Sequence, residues 1–335
     1  MSAENILVVT SKIDVTADLV IQELQKKDIP VVRFNVEDFP VKTKIKISHN
    51  DKHTVGELFI PEIGQFTSED FGSIYFRIYE PPQIDSAITD SEHRLYAEDQ
   101  SNECFRWFLD TLKGFWVSDW RSIDRSQSKV LQLSLVHSLG LRTPETLVTS
   151  DPDEFRKFYL ECNQQVIAKN LTNLGIVSSM EGFIYATTVD DSFMAEIDNL
   201  VYSPVLFQRY IPKEFELRAT VVGDKVFTSE IHSQALEETK IDWRKYSLDN
   251  PPPHRVHQLP ENVEESLKEM VRRLGLKFGA IDLIYTPDHQ YFFLEINANG
   301  QWGWVQFMTG LPIKEAIADL LIRNRGIYEN TPGQT

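Results

Sequence analysis

The sequence predicts a protein of mixed α/β and α+β class, and three observations carry that reading. The chain opens with a strand, helix, strand succession. Its middle alternates helices with short strands, and its last third is dominated by strands that alternate apolar and polar residues.

Ile6–Val9 is a short apolar run that reads as a buried strand. Asp14–Lys27 places Val15, Leu19, Val20, Ile21 and Leu24 at helical spacing, and Val31–Phe34 is a second strand. Such a βαβ start favours a parallel sheet. The turn Thr10–Asp14 lacks glycine, so a dinucleotide fingerprint is absent. Strands are expected at Lys44–Ser48, Glu57–Ile60 and Ser73–Arg77, then a break at Pro81-Pro82 and a long helix over Ser91–Lys113. A first α/β domain of residues 1–119 follows from this order.

Ser126–Leu139 reads as a helix capped by Ser126 and stopped at Gly140. Thr146–Thr149 and Val166–Lys169 read as strands around a helix, Asp153–Cys162. A polar loop, Asn170–Gly182, leads to a strand Phe183–Ala186. These elements make a small α+β unit, residues 120–204. Residues 205–328 carry strands at Val205–Tyr210, Glu216–Val222, Lys225–His232, Gly279–Thr286 and Tyr291–Ala298, with a helix over Glu261–Leu274 and an extended Pro251–Pro253 run. Residues 329–335 read as a tail.

The composition suits a globular chain: 335 residues, 41% hydrophobic and 11% aromatic, too apolar for a disordered one. No apolar run of about 18 residues exists, so no membrane span is expected. The polar start Met1–Asn5 carries no secretory signal, and Cys104 and Cys162 are not spaced as a metal or redox motif. A cytoplasmic protein with reduced thiols is the expectation. The net charge of −16 disfavours a nucleic-acid partner.

The sharpest chemical signal is the hairpin Gly279–Asn299. If Thr286 pairs with Tyr291 across Pro287–Gln290, Asp282 falls opposite Glu295, and Asn297 shares the face of Glu295. The other face then carries Ile281, Leu283, Tyr285, Phe292, Leu294 and Ile296 as core. Like charges placed opposite each other destabilise a strand pair, and a hard cation between them removes the conflict. Oxygen-only ligands suit magnesium or manganese. A solvated hairpin face with two acids by chance is the alternative.

Other residues are weaker alone. Lys169 ends an apolar strand, where it reaches either solvent or a nucleotide cleft. Lys129 stands in the first turn of a helix, against the macrodipole. Phe207–Pro212 is an apolar strand running into proline. Glu216, Arg218 and Thr220 share one strand face, and Asp242–Tyr246 brings two further cations. Trp302 and Trp304 serve core or pocket. His232 lies two residues from Glu230 near the expected cleft, but no base is identifiable.

In chain order these residues resemble the ATP-grasp ligases. Lys129, Lys169, the hinge strand Gln208, Arg209, Tyr210 and Ile211, then Glu216, Arg218, and a late Asp282, Glu295 and Asn297 fill that family's pattern. Within it, Glu295–Trp302 followed by Thr309–Pro312 is similar to the microviridin-type graspetide macrocyclases. So are Thr220–Val226, Glu230–Gln234 and Asp242–Tyr246. The resemblance implies an ATP-grasp fold: an N-terminal βαβ pre-ATP-grasp domain, a central α+β subdomain and a C-terminal antiparallel sheet. It implies ATP with Mg2+ (or Mn2+), and a ribosomal precursor peptide, leader and core, as substrate. A homodimer is compatible with it. Lys129 and Lys169 would hold phosphates, Glu216 the ribose, Asp282, Glu295 and Asn297 the metal, and Arg218 the transferring phosphoryl group. Arg244 would meet the acceptor carboxylate or its acyl phosphate. The departure is the loop after Lys169, whose only glycines are Gly175 and Gly182. The implied product is an ester or amide crosslink, with the ester branch favoured. An ATP-grasp ligase adding amino acids to a terminus or small molecule, and a nucleotide-binding regulator without catalysis, are the competing readings.

Overall fold

The computed structural model describes residues 5–77, 81–171, 185–245 and 249–327. The expected loop after Leu171, with Gly175, Gly182 and the start of the Phe183 strand, lies outside them. So do Tyr246 and the expected tail.

The N-terminal part contains β1 (Asn5–Thr10), α1 (Val15–Gln25), β2 (Val31–Asn35), β3 (Lys44–His49), β4 (Thr54–Ile60), β5 (Gly64–Thr67), β6 (Phe71–Phe76), α2 (Ser91–Thr111) and β7 (Phe115–Val117). Its main sheet has the order β2-β1-β6-β7, and all neighbours are parallel. The run β3-β4-β5 forms a separate antiparallel sheet. Asp14 caps α1, accepting from the Thr16 amide. Strand β7, three residues long, is too short to show a pattern in the sequence, and β5, which opens on Gly64, was not expected either.

The next elements are α3 (Trp120–Ser126), α4 (Lys129–Ser138), β8 (Thr146–Thr149), α5 (Pro152–Glu161), β9 (Val166–Lys169), β10 (Thr187–Thr188), α6 (Asp191–Ala195) and β11 (Val205–Arg209). The single helix expected from Ser126 is in fact two. Ser126 ends the first, and Ser128 caps the second by accepting from the Leu131 amide. Lys129 is therefore the first residue of its helix. Tyr185 and Ala186 are not in a strand; β10 follows them. The sheet β10-β9-β11-β8 covers a small core of Phe155, Val166, Ile197 and Phe207.

The last part comprises β12 (Phe215–Val222), β13 (Lys225–Ile231), β14 (His254–His257), α7 (Glu261–Arg273), β15 (Phe278–Tyr285), β16 (Tyr291–Asn297), α8 (Gly303–Thr309) and α9 (Ile313–Arg323). Its antiparallel sheet has the order β14-β13-β12-β15-β16. The Pro251–Pro253 run leads into β14, an edge strand the sequence did not announce. Leu217, Val221, Ile281 and Phe293 on one face join Leu7, Phe34 and Phe105 in a shared core. Trp302, Val305 and Ile317 pack with Ile6, Val20 and Tyr75 in a second. The first and last parts of the chain are thus welded by apolar burial. Among the described residues, no helix is long and apolar enough to cross a membrane.

Candidate active site

A cleft of about 750 Å³ opens between the central sheet and the face of the C-terminal sheet that is turned away from the first core. Strand register builds its floor. Asp282 on β15 stands opposite Arg218 on β12 and opposite Glu295 on β16, so the three side chains form a row across neighbouring strands. Asn297, two residues on, stands opposite Ala280.

The Asp282–Glu295 pairing matches the sequence expectation, but by a different path. Tyr285, not Thr286, pairs with Tyr291, and the connection runs Thr286–Gln290. A bulge between Asp282 and Leu283 then shifts the register by one. Leu294 is the extra residue, and the shift restores the expected pairing at Glu295. Between bulge and turn the faces exchange. Phe293 is core at 0% exposure, whereas Phe292 and Leu294, expected in the core, are only partly buried.

Cations neutralise both acids. Arg218 Nη1 lies 3.0 Å from each oxygen of Asp282. Lys129 Nζ donates to Glu295 at 2.5 Å. The Asn297 amide donates to Glu295 at 3.3 Å and reaches Asp282 at 3.5 Å. Burial pushes the Asp282 carboxyl up, to about 6, against the pull of Arg218. Burial also opposes charge on Glu295, but Lys129 and Lys169 overcome it and hold that carboxyl low, at about 2.

Lys129 reaches Glu295 because of a residue that sequence reasoning passed over. Gln132, on the same helix, donates to the Ile296 carbonyl at 3.0 Å and accepts from the Ile296 amide at 3.1 Å. Its side chain thus completes the outer edge of β16 like one residue of a further strand. Arg142 continues that cover, its carbonyl accepting from the Phe293 amide at 2.8 Å.

From the central sheet, Lys169 enters the cleft and donates to Gln208 Oε1 at 2.7 Å. Gln208 in turn donates to Thr146 Oγ1 at 2.9 Å. The Gln208 side chain, expected at the nucleotide, is therefore spent on orienting Lys169 and does not line the cleft. The Arg209 side chain turns outward, to Glu145 and the Glu161 carbonyl. The Arg209 and Tyr210 amides are already bound to carbonyls of Glu145 and Gln165. Among the described residues the Ile211 amide makes no hydrogen bond, which leaves it as the hinge donor open to the cleft.

Glu216 is 6% exposed and pairs with Lys213, which also donates to the Ile241 carbonyl at 3.1 Å. Burial pushes the Glu216 carboxyl up. Its Oε2 is buried with no partner among the described residues. Lys213 was missed in the sequence, where nothing distinguishes it from a surface lysine. Arg244 is gripped by Asp242, with Nε to Oδ1 at 2.8 Å and Nη2 to Oδ2 at 2.5 Å. These bonds raise the guanidinium's already high pKa. Asp242 also accepts from the Ala186 amide at 3.1 Å, which ties it to the central lobe.

The tryptophan pair divides. Trp302 is fully buried, while Trp304 lines the cleft with the Arg218 guanidinium carbon 5.8 Å from its ring centre. The Glu230–His232 pair lies elsewhere than the sequence suggested. Glu230 stands opposite the core residue Leu217 and bonds His232 and His257, each at 2.8 Å, on the far face of the sheet. Among the described residues no three His, Cys, Asp or Glu side chains converge as a metal site. The row of two carboxylates and one amide still fits a cation that brings its own phosphate and water ligands, as magnesium does. Arg218 and Lys129 show that the row accepts positive charge.

Residues 5–124 match the family described as the MvdD pre-ATP grasp domain. The whole chain is similar to a RiPP-associated ATP-grasp ligase from Chryseobacterium gregarium, solved with ADP and a leader and core peptide. The TM-score is 0.89 at 30% identity, covering 96% of this chain and 97% of that one. It is similar to the macrocyclase MdnC from Microcystis aeruginosa MRC, solved with precursor peptide MdnA, at a TM-score of 0.84 and 27% identity, covering 95% and 99%. For the macrocyclase MdnB of the same organism the values are 0.80 and 30%, with the same coverage. With identity and coverage at this level, and with the Lys129, Lys169, Arg218, Asp282 and Glu295 side chains assembled in one cleft, the chain belongs to the RiPP-associated ATP-grasp ligases.

Proposed function

We propose that this ATP-grasp ligase closes side-chain rings in a ribosomal precursor peptide. The row of Arg218, Asp282 and Glu295 beneath Lys129 and Lys169 carries the reading. End-to-end likeness to ligases solved with ADP and peptides supports it.

Lys169 and Lys129 hold nucleotide phosphates, and the free Ile211 amide meets the purine edge. The unpartnered Glu216 Oε2 accepts from a ribose hydroxyl. Asp282, Glu295 and Asn297, its amide turned so that the oxygen replaces the nitrogen beside the two carboxylates, would hold magnesium, and manganese satisfies the same donors. Such an ion, when bound, supplies charge that offsets the polyphosphate. A carboxylate oxygen of a core Glu or Asp attacks the γ-phosphorus of ATP. The bond to the β-γ bridging oxygen breaks, and ADP leaves. Arg218 stabilises the charge on the transferring group. Arg244, kept rigid by Asp242, binds the carboxylate before transfer and the acyl phosphate after it. A Thr or Ser hydroxyl then attacks the acyl carbon, phosphate leaves, and the hydroxyl proton goes to solvent. The product is an ester; a Lys amine in the same position gives an amide.

The test is mass spectrometry of a Thr- and Glu-rich precursor incubated with ATP. Each ring removes one water, about 18 Da, and mild alkali restores it if the bond is an ester. A loss that resists alkali and maps to lysine assigns the amide. ADP release that needs a free amino acid and leaves every precursor unchanged would establish the amino-acid ligase instead. No ADP release with any acceptor would mark a non-catalytic nucleotide binder.

A further inference from the structure

We infer that Arg77, braced by Asp14, is a positioning residue that fixes the turn behind Asn297 and thereby sets the metal-dependent part of nucleotide binding. This rests on the assignment of Asp282, Glu295 and Asn297 made above.

Arg77 follows β6 and is 1% exposed. Its Nε lies 3.3 Å from Asp14 Oδ2, with both side chains out of solvent. Asp14 is itself held, accepting from Thr10 Oγ1 at 2.8 Å and from the Thr16 amide at 3.1 Å. Arg77 Nη1 then donates to the carbonyls of Asn299 at 3.0 Å and Gly300 at 3.4 Å. Those carbonyls belong to the turn that leaves the candidate metal strand. The turn is closed by the Gly300 amide donating to the Asn297 carbonyl at 3.0 Å. It is also pressed against the sheet: a Cβ at Gly300 would stand 2.5 Å from Ala280 Cβ and 3.0 Å from Asn297 Cβ.

The next two residues are anchored to the same N-terminal part, one to α1 and one to β6. Thr16 Oγ1 donates to Gln301 Oε1 at 2.5 Å, and the fully buried Trp302 donates to the Tyr75 hydroxyl at 3.3 Å. Residues 299–302 are thus tied one after another to Arg77 at the end of β6, to α1 and to β6 itself. Gluing two sheets together does not require a buried ion pair. Apolar side chains of similar volume do it as well or better, because they pay no desolvation. What an apolar pair cannot do is fix two backbone carbonyls in place. A cation site tolerates little drift in its ligands, so residues behind them matter nearly as much as the ligands.

The measurement is the ratio of ADP dissociation constants in EDTA and in magnesium, by calorimetry. Arg77→Lys keeps one cation but cannot place separate N–H groups on Asp14 and on the two carbonyls, as Nε and Nη1 of the guanidinium do. We expect it to lower the ratio about tenfold or more, with ADP affinity in EDTA within about twofold and a single cooperative unfolding transition retained. Gln301→Ala, which releases only the Thr16 tether, should lower the ratio about threefold. A folded Arg77→Lys protein with the wild-type ratio overturns the inference. Should that variant fail to fold, Gln301→Ala decides, and a wild-type ratio there overturns it equally. If wild-type protein itself binds ADP no better with magnesium, the metal assignment is what fails, before any variant is compared.

Discussion

Lys169 is a cleft residue whose chemistry departs far from its free behaviour. Burial lowers its pKa to about 8, with Lys129 and Lys213 pushing the same way and Glu295 and Asp242 pulling back. The charged form is penalised in the fold, so this lysine costs stability below about pH 8. That cost fades as pH rises from 8 toward the unfolded value near 10.5. A polyphosphate beside Nζ restores the preference for charge. ADP binding at pH 9 should therefore take up close to one proton, and at pH 7 almost none, a difference of about one proton by linkage. Titration calorimetry in two buffers of unlike protonation enthalpy reads this directly. Equal proton uptake at both pH values, or uptake that persists in Lys169→Met, would remove Lys169 from the phosphates. Gln208 explains why the ammonium points inward, since its carbonyl oxygen holds Nζ while its amide is held by Thr146.

Elements are held at the site by side chains that imitate backbone. Helix α4 docks on edge strand β16 through Gln132, which is 3% exposed and serves both backbone groups of Ile296. Its amide also donates to the Ser126 carbonyl at 2.8 Å, fastening the end of α3 to the same point. Gln132→Ala leaves a buried N–H and two carbonyls without partners, which should cost about 2–3 kcal/mol of stability. Denaturant unfolding should show the midpoint falling with its slope unchanged. Because Lys129 lies one turn before Gln132, ADP affinity should drop with it. A variant that loses neither would show that α4 is placed by its apolar contacts alone. The bulge at Leu294 works at the same scale. It returns Glu295 to the row with Asp282 and sends Phe293, instead of its neighbours, into the core.

At the scale of the molecule, burial is distributed unequally. The two larger cores each combine residues from the first and last thirds of the chain. The central sheet has a small core of its own around Phe155, Val166 and Phe207. Units with few buried contacts open at lower free energy. Amides of β9 and β11 should therefore exchange with solvent faster than those of β12 and β15. If ADP is held by Lys169 from one side and Glu216 from the other, as proposed above, it should slow β9 and β11 most. Hydrogen exchange with and without ADP checks both, and equal protection of the two sheets would contradict the division.

What the sequence determined by itself is whatever repeats locally. A period of two placed Glu216 with Arg218 and Glu295 with Asn297, and apolar runs located β9, β12 and β15 to within a residue. Those patterns sufficed for the fold class and for the family resemblance. Choices between adjacent serines, or between a plain hairpin and a bulged one, were not legible, because both alternatives keep the same local pattern. The partners that aim the site were hidden more deeply. Gln132 meets Ile296 across 164 positions of sequence, and Arg77 meets Asn299 across 222. Glutamine and arginine carry no periodic signal, and their value depends on which backbone groups lie unpaired beside them. Only the packing of three sheets around one cleft creates those groups, so only the tertiary structure could assign them.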